Sequence, residues 1–422
     1  MKKVIPIIAI SSLLNATNIT TLFEGLKHHY KMQLDSVGVK STNLAKELVE
    51  SQLYPKIDIF GSLTHYSLPN AIRPMPPSEA SQRSKKHEPL LFSKNIARVG
   101  VNLSMPIFVK SIYTLSDSAK FMQYSARAKR KIDVIKDEAT LVGAIANLQY
   151  LEHMQQSLKQ KRATLKTTLK IVNQMVKSGR APEAQKIKVL ENLSSINIAL
   201  NNIKIQKSNI LALIKTLTGI NIKHSVPLRK RGSLHYGEII ALKPLEYKAN
   251  ANRLKAKATA EKRLPSLFLK ANYTKSYGKG YLTKKSVDTD FSSVSLNLKM
   301  PLLDMPLNKN IELSKLKYIK SKIEIKKTKE ELLNQAKALK EQLKLLRENL
   351  KYSKDIIAKE KQLLKIAKAT YEAQRLPIEE YLRYVNALYE TKANYYKVKA
   401  LYWQTFAKLA FIYGNDLENI LR

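Results

Sequence analysis

The 422-residue sequence contains no cysteine. No disulfide, no thiolate-held metal and no lipid-modified N-terminal cysteine is therefore expected. Acidic residues are scarce beside basic ones, 34 Asp and Glu against 74 Lys and Arg, for a formal net charge of +40. That balance raises nucleic acid as a partner. The lysines are spread along the whole chain rather than gathered in one patch, however, so a solvated helix surface accounts for them and no nucleic-acid partner is expected. No uninterrupted run of about 18 apolar residues occurs, which leaves no candidate membrane-crossing helix. A membrane-spanning role would need strands. The seven histidines are dispersed. The one close pair, His28-His29, points in two directions on a helix, which argues against a joint metal site. No glycine-rich loop carries a lysine at phosphate-binding spacing. No catalytic residue, metal or cofactor is expected, and any energy source must lie in a partner.

Proline and glycine are missing from two long stretches. Between Pro106 and Ser178 there is no proline and one glycine, Gly143; between Pro306 and Pro377 there is neither. Each stretch predicts one helix of about 70 residues, roughly 100 Å long at ~1.5 Å rise per residue. These stretches belong to an internal repeat. Val101-Asn102-Leu103-Ser104-Met105-Pro106-Ile107 reappears as Leu296-Asn297-Leu298-Lys299-Met300-Pro301-Leu302, and Arg180-Ala181-Pro182 as Arg375-Leu376-Pro377. Both pairs lie 195 positions apart (102 to 297, 180 to 375). Each copy reads as a strand ending at Met-Pro, a very long helix and a proline-marked turn.

In chain order, residues 1–16 read as an export signal, with Lys2 and Lys3 ahead of the apolar Val4–Leu14 and Ala16 as cleavage residue. Repeat 1 covers 17–218: a helix over about 19–52, strands over about 55–67 and 96–106, the long helix over 109–177, a tip turn at 178–182, and a further helix to Leu217. Residues 68–95, with five prolines, read as a polar loop. A connector fills 219–236. Repeat 2 covers 237–422: a helix over 237–262, strands over about 264–275 and 291–301, the second long helix, a tip turn at 374–378, a helix over 378–413 and a short tail. The short helices of a repeat sum to about the length of its long helix, so two of them stacked end to end can run beside it. Leu332, Ala336, Leu339, Leu343, Leu346, Leu350, Ile357 and Leu364 form a coiled-coil stripe on the second long helix.

Each predicted strand alternates over 9–11 residues, enough for a tilted membrane crossing. Four strands have two open edges, which lipid does not tolerate, so closure requires pooling strands between copies. Two copies would give eight strands and three would give twelve. Tyr54, Tyr66, Phe108, Tyr273, Tyr277 and Phe291 lie near strand ends, where aromatic girdles belong. The fold class expected is mainly α with a membrane β-barrel. Two rivals are a basic coiled-coil scaffold or nucleic-acid-binding structural protein, and a secreted adhesin-like stalk. The export signal and the strands oppose the first. Two helical tips set against one pair of strand hairpins disfavour the second.

With this layout the chain resembles the outer-membrane efflux protein family, the TolC-like channel-tunnels, over nearly all its mature length. The resemblance implies a homotrimer with a twelve-strand barrel in the outer-membrane lipid of a Gram-negative cell and a long periplasmic helical barrel. It implies the exit duct of a tripartite efflux pump or type I secretion system, with a periplasmic adaptor and an inner-membrane transporter as partners. The cargo stays open: drugs, metal ions and polypeptides all remain. The family closes at its helix tips. Tyr371, in Ala369-Thr370-Tyr371-Glu372-Ala373, matches a tyrosine of the closure bonds. Glu380 matches the first of two acidic constriction residues, while Arg383 stands where the second is expected. An arginine of some members falls on Leu376, with Arg375 adjacent, and the acidic partner in the first tip falls on Gln185. Gly179, Arg180, Pro182, Gln374 and Pro377 are the implied adaptor-contact tips.

Overall fold

A computed structural model describes residues 18–422; the expected export signal lies outside the described residues. The chain forms two compact units. One comprises Val39–Ala126 and Pro244–Ile325; the other comprises the described residues up to Gly38, Arg127–Lys243 and Lys326–Arg422. The elements in order are α1 (Ile19–His28), α2 (Tyr30–Glu50), β1 (Lys56–Ala71), α3 (Pro77–Lys85), β2 (Phe92–Phe108), α4 (Lys110–Lys177), α5 (Glu183–Thr218), α6 (Lys243–Glu261), β3 (Ser266–Lys279), β4 (Ser286–Lys299), α7 (Met305–Glu372) and α8 (Ile378–Tyr413). No helix among the described residues is long and apolar enough to cross a membrane.

The first unit holds a four-stranded antiparallel sheet in the order β1-β2-β3-β4. The strands run longer than the alternation alone marks, 14 to 17 residues each. Part of the expected loop 68–95 is therefore strand, and α3 lies within it behind Pro76, with Pro77 in its first turn, where a missing N–H costs nothing. Register makes the two faces distinct. Ile57, Leu103, Ala271 and Val294 form one row across the sheet, and Ile59, Val101, Tyr273 and Ser292 the next. Side chains alternate along a strand, so these rows share a face. That face is bare: Ile59 is 81% and Val294 75% exposed. The opposite face carries the row Asp58, Asn102, Asn272 and Ser293, with Asn272 Nδ2 donating to Asn102 Oδ1 at 2.6 Å. Phe60 interrupts this polar face. Its ring covers Gly100, where a Cβ would stand 2.8 Å from the ring and 2.4 Å from Tyr273 O. Among the described residues β1 and β4 each have one strand neighbour, which leaves two free edges. Below the sheet, helices approach through small residues. Ser111, Thr114 and Ser118 form a buried stripe on α4, and Ala249, Ala251, Ala256 and Ala258 are buried on α6. Ser118 Oγ donates to Ala251 O at 2.7 Å.

The other unit has two apolar cores. The larger joins Leu141, Ile145 and Leu148 of α4 to Trp403, Phe406 and Leu409 of α8, with Leu22 and Phe23 of α1. It also takes in Ala336, Leu339 and Leu343 of the coiled-coil stripe on α7. The connector and the C-terminal tail close over this core: Arg229 and Arg422 exchange backbone hydrogen bonds of 3.0 and 2.9 Å. The helix expected over 19–52 is broken at His29, whose ψ of 159° is extended. The break lets Ile19, Leu22, Phe23 and Leu26 of α1 be buried as one stripe. The second core lies at the helix tips.

Candidate functional site

The two tips are built by the same backbone device. α4 closes with Gly179 at φ +71°, its N–H donating to Val176 O at 3.0 Å while Arg180 N–H donates to Met175 O at 2.8 Å. α7 closes with Gln374 at φ +62°; its N–H donates to Tyr371 O at 2.9 Å, and Arg375 N–H to Thr370 O at 3.0 Å. This pair of bonds satisfies carbonyls that a helix end leaves open, and it needs one residue in the left-handed region. Glycine takes that conformation freely, whereas glutamine meets its own Cβ. Pro182 and Pro377 each stand one residue before the next helix, with ψ of 149° and 151°. Neither can cap with a side chain. Glu183 on one tip and Glu379 and Glu380 on the other put negative charge against the open helix N-termini instead.

Four helices supply the core behind these turns: Leu165 and Val172 of α4, Val189 and Ile196 of α5, Ala367 and Tyr371 of α7, and Tyr381, Leu382 and Val385 of α8. The rings of Tyr371 and Tyr381 stack at 5.0 Å between centroids, 9° from parallel. Burial pushes the Tyr371 hydroxyl above the usual tyrosine range, with Tyr381 and Glu379 adding to it. Burial also raises Tyr381, against a hydrogen bond with Thr168 that lowers it. Tyr371 is 4% exposed, and its Oη is buried with no hydrogen-bond partner.

A cleft of about 450 Å³ runs between the two turns. It brings together Gln185, Tyr371, Arg375, Arg180, Gln374 and Pro377. Arg180 and Arg375 are exposed, and neither is in an ion pair with a described residue. Gly179 and Pro182 belong to the first turn but do not line the cleft. Glu380 and Arg383 lie beyond it on α8, where they pair with each other at 3.1 Å. Alongside, Lys188 of α5 holds Glu379 of α8 at 2.7 Å, which keeps the Glu379 carboxyl below the usual range. Tyr381, Thr168, Lys188 and Glu379 escaped the sequence reading. Tyr381 was visible in principle, since Ile378, Tyr381, Leu382 and Val385 make a stripe of three- and four-residue steps.

No family model matches the sequence, and no curated protein matches it. Solved structures do resemble it. The Campylobacter jejuni CmeC outer membrane channel superposes with a TM-score of 0.77 at 17% identity, over 94% of this chain and 85% of that one. The outer membrane protein VceC from Vibrio cholerae gives 0.77 at 12% identity, over 94% and 96%. The open state of the Neisseria gonorrhoeae MtrE outer membrane channel gives 0.73 at 13% identity, over 94% and 89%. With its paired long helices, paired tip turns and four-stranded sheet, the chain has the TolC-like fold.

Proposed function

We propose that the chain is one protomer of an outer-membrane exit duct, a passive channel for solutes leaving the cell. One observation carries the reading: the sheet has a bare apolar face, a polar opposite face and two free edges. An apolar exterior with a polar interior is what a strand needs between lipid and a water-filled lumen. Free edges have no place in lipid, so β1 and β4 must pair with other copies. Three copies make a twelve-strand barrel, with the helices extending into the periplasm. A coiled-coil scaffold has no use for such a face.

In this reading the tips form the periplasmic gate and the adaptor's docking point, and an inner-membrane transporter supplies the energy. Arg180 and Arg375 are exposed and have no ion-pair partner among the described residues, so both are suited to bonds with a neighbouring copy or the adaptor, while Tyr371 packs behind them. The Glu380–Arg383 pair takes the place of a purely acidic constriction. Whether the duct serves an efflux pump or a secretion system is decided by the transporter it meets.

Fractionation and planar-bilayer recording test the reading. The protein should be a trimer of the outer-membrane fraction that conducts ions. A stable monomer by mass in detergent refutes it. At the gate, Tyr371→Phe with Glu380→Ala should raise conductance, and unchanged conductance places the constriction elsewhere. Cysteines at Gly179 and Gln374 should crosslink to an adaptor in vivo; crosslinks only from residues 68–95 reverse the orientation.

A further inference from the structure

The apolar face of the sheet ends at its hairpins in a cationic cleft. Leu63, Ala97 and Tyr277 form the last row of that face paired across β1, β2 and β3. They make one wall of a cavity of about 770 Å³. Lys94, Lys279, Lys284 and Tyr281 make much of the rest, and no carboxylate lines it. Two ammonium groups lie near one ring: Lys94 Nζ is 5.9 Å and Lys284 Nζ 5.2 Å from the Tyr281 centroid. None of the three lysines is in an ion pair with a described residue. The nearby Asp288 is engaged by Lys275 at 3.4 Å. The hairpin that carries these groups is tied in place. Tyr281 N–H donates to Phe92 O at 2.9 Å, and Lys284, at φ +56°, donates its N–H to Gly280 O at 2.8 Å.

Three unpaired cations around one cleft repel one another unless an anion sits among them. We propose that this cleft binds the phosphoryl groups of an outer-leaflet glycolipid, an inference that rests on the membrane placement proposed above. Charge favours a phosphate: three ammonium groups supply the donors, beside the hydroxyls of Tyr277 and Tyr281. Position favours a lipid over a free ion. Exposed Val99, Ile59 and Val101 of β1 and β2 below the cleft would carry the acyl chains, and the lysines stand at headgroup level, where charge on the lipid-facing side costs little. Bound lipid would seat each protomer at a set depth and cover the outer rim of the barrel.

Native mass spectrometry of the full chain in detergent micelles tests this, with bis-phosphorylated lipid A, its dephosphorylated form and inorganic phosphate as probes. The wild type should retain the phosphorylated lipid at least about tenfold more strongly than the dephosphorylated one. The K94Q/K279Q/K284Q variant should lose that preference, and the corresponding triple Lys→Arg variant should keep it. Millimolar inorganic phosphate should not displace the lipid. Equal retention of both lipids by the wild type overturns the proposal without any variant. So does an undiminished preference in the glutamine variant, or displacement of the lipid by millimolar inorganic phosphate. Membrane fractionation and conductance, which test the channel reading, should be the same in wild type and glutamine variant.

Discussion

Glu138 should make this protein more stable in mild acid than in mild base. It lies on α4 in the larger core, 1% exposed. Its Oε2 accepts from Leu417 N–H at 2.9 Å, and its Oε1 has no partner. Carboxylate oxygens of Asp416 and Glu418 lie within 4.8 Å of its own. Lys27, the cation facing the cluster, is paired with Glu418. Burial first, and then Asp416, push the Glu138 carboxyl from 4.5 to about 7. The folded state therefore holds a proton between pH 4.5 and 7 that the unfolded state has released. Stability from this group is fully present below 4.5 and is lost as pH rises through 7. At about 1.4 kcal/mol per pH unit, the loss is about 3 kcal/mol. Glu138→Gln keeps an acceptor for Leu417 N–H and removes the titration. Trp403, the single tryptophan, is 6% exposed in the same core and reports its unfolding by fluorescence. In guanidinium titrations the variant should be the more stable protein at pH 8, and the difference should shrink steadily toward pH 4.5. Parallel pH profiles for the two proteins would refute the argument.

Gln374→Gly should slow hydrogen exchange of the tip amides near 370–381 by relieving a left-handed glutamine, worth about 1 kcal/mol, and Gly179→Ala should speed exchange at the other tip by a similar amount; no change in either means the turns are held by other contacts. Ile59→Lys should cost about 2–4 kcal/mol at mid-membrane and abolish outer-membrane assembly, while Asn102→Lys on the polar face is tolerated; equal behaviour in fractionation assigns the faces wrongly. Glu152 ties α4 to the connector. Burial raises its carboxyl, but bonds from Ser225 and the Lys207 charge outweigh that and hold it below the usual range. Its contribution is thus present above pH 4.5 and lost as pH falls through its folded value. Glu152→Gln should flatten the acid limb of a stability profile, and an unaltered limb would show that the clasp contributes nothing.

Much of the fold class was legible because it rests on short-range signals. A stretch without glycine or proline became α7, Ser178-Gly179 ended α4, and period-two alternation marked all four strands. Other features have no local signal. His29 breaks a helix without glycine or proline, because a buried stripe of α1 repays the break. Gln374 takes a glycine's conformation because two hydrogen bonds close the turn around it. α3 hides among prolines that read as loop. The candidate sites depended on packing most of all. Tyr371 meets Tyr381 across a turn, Glu138 meets Leu417 from 279 positions away, and Lys94 meets Lys284 on Tyr281. Periodicity tells each residue which face of its own element it occupies. Which distant side chain stands opposite, and whether a charge there is paired or stranded, is decided only when the elements pack.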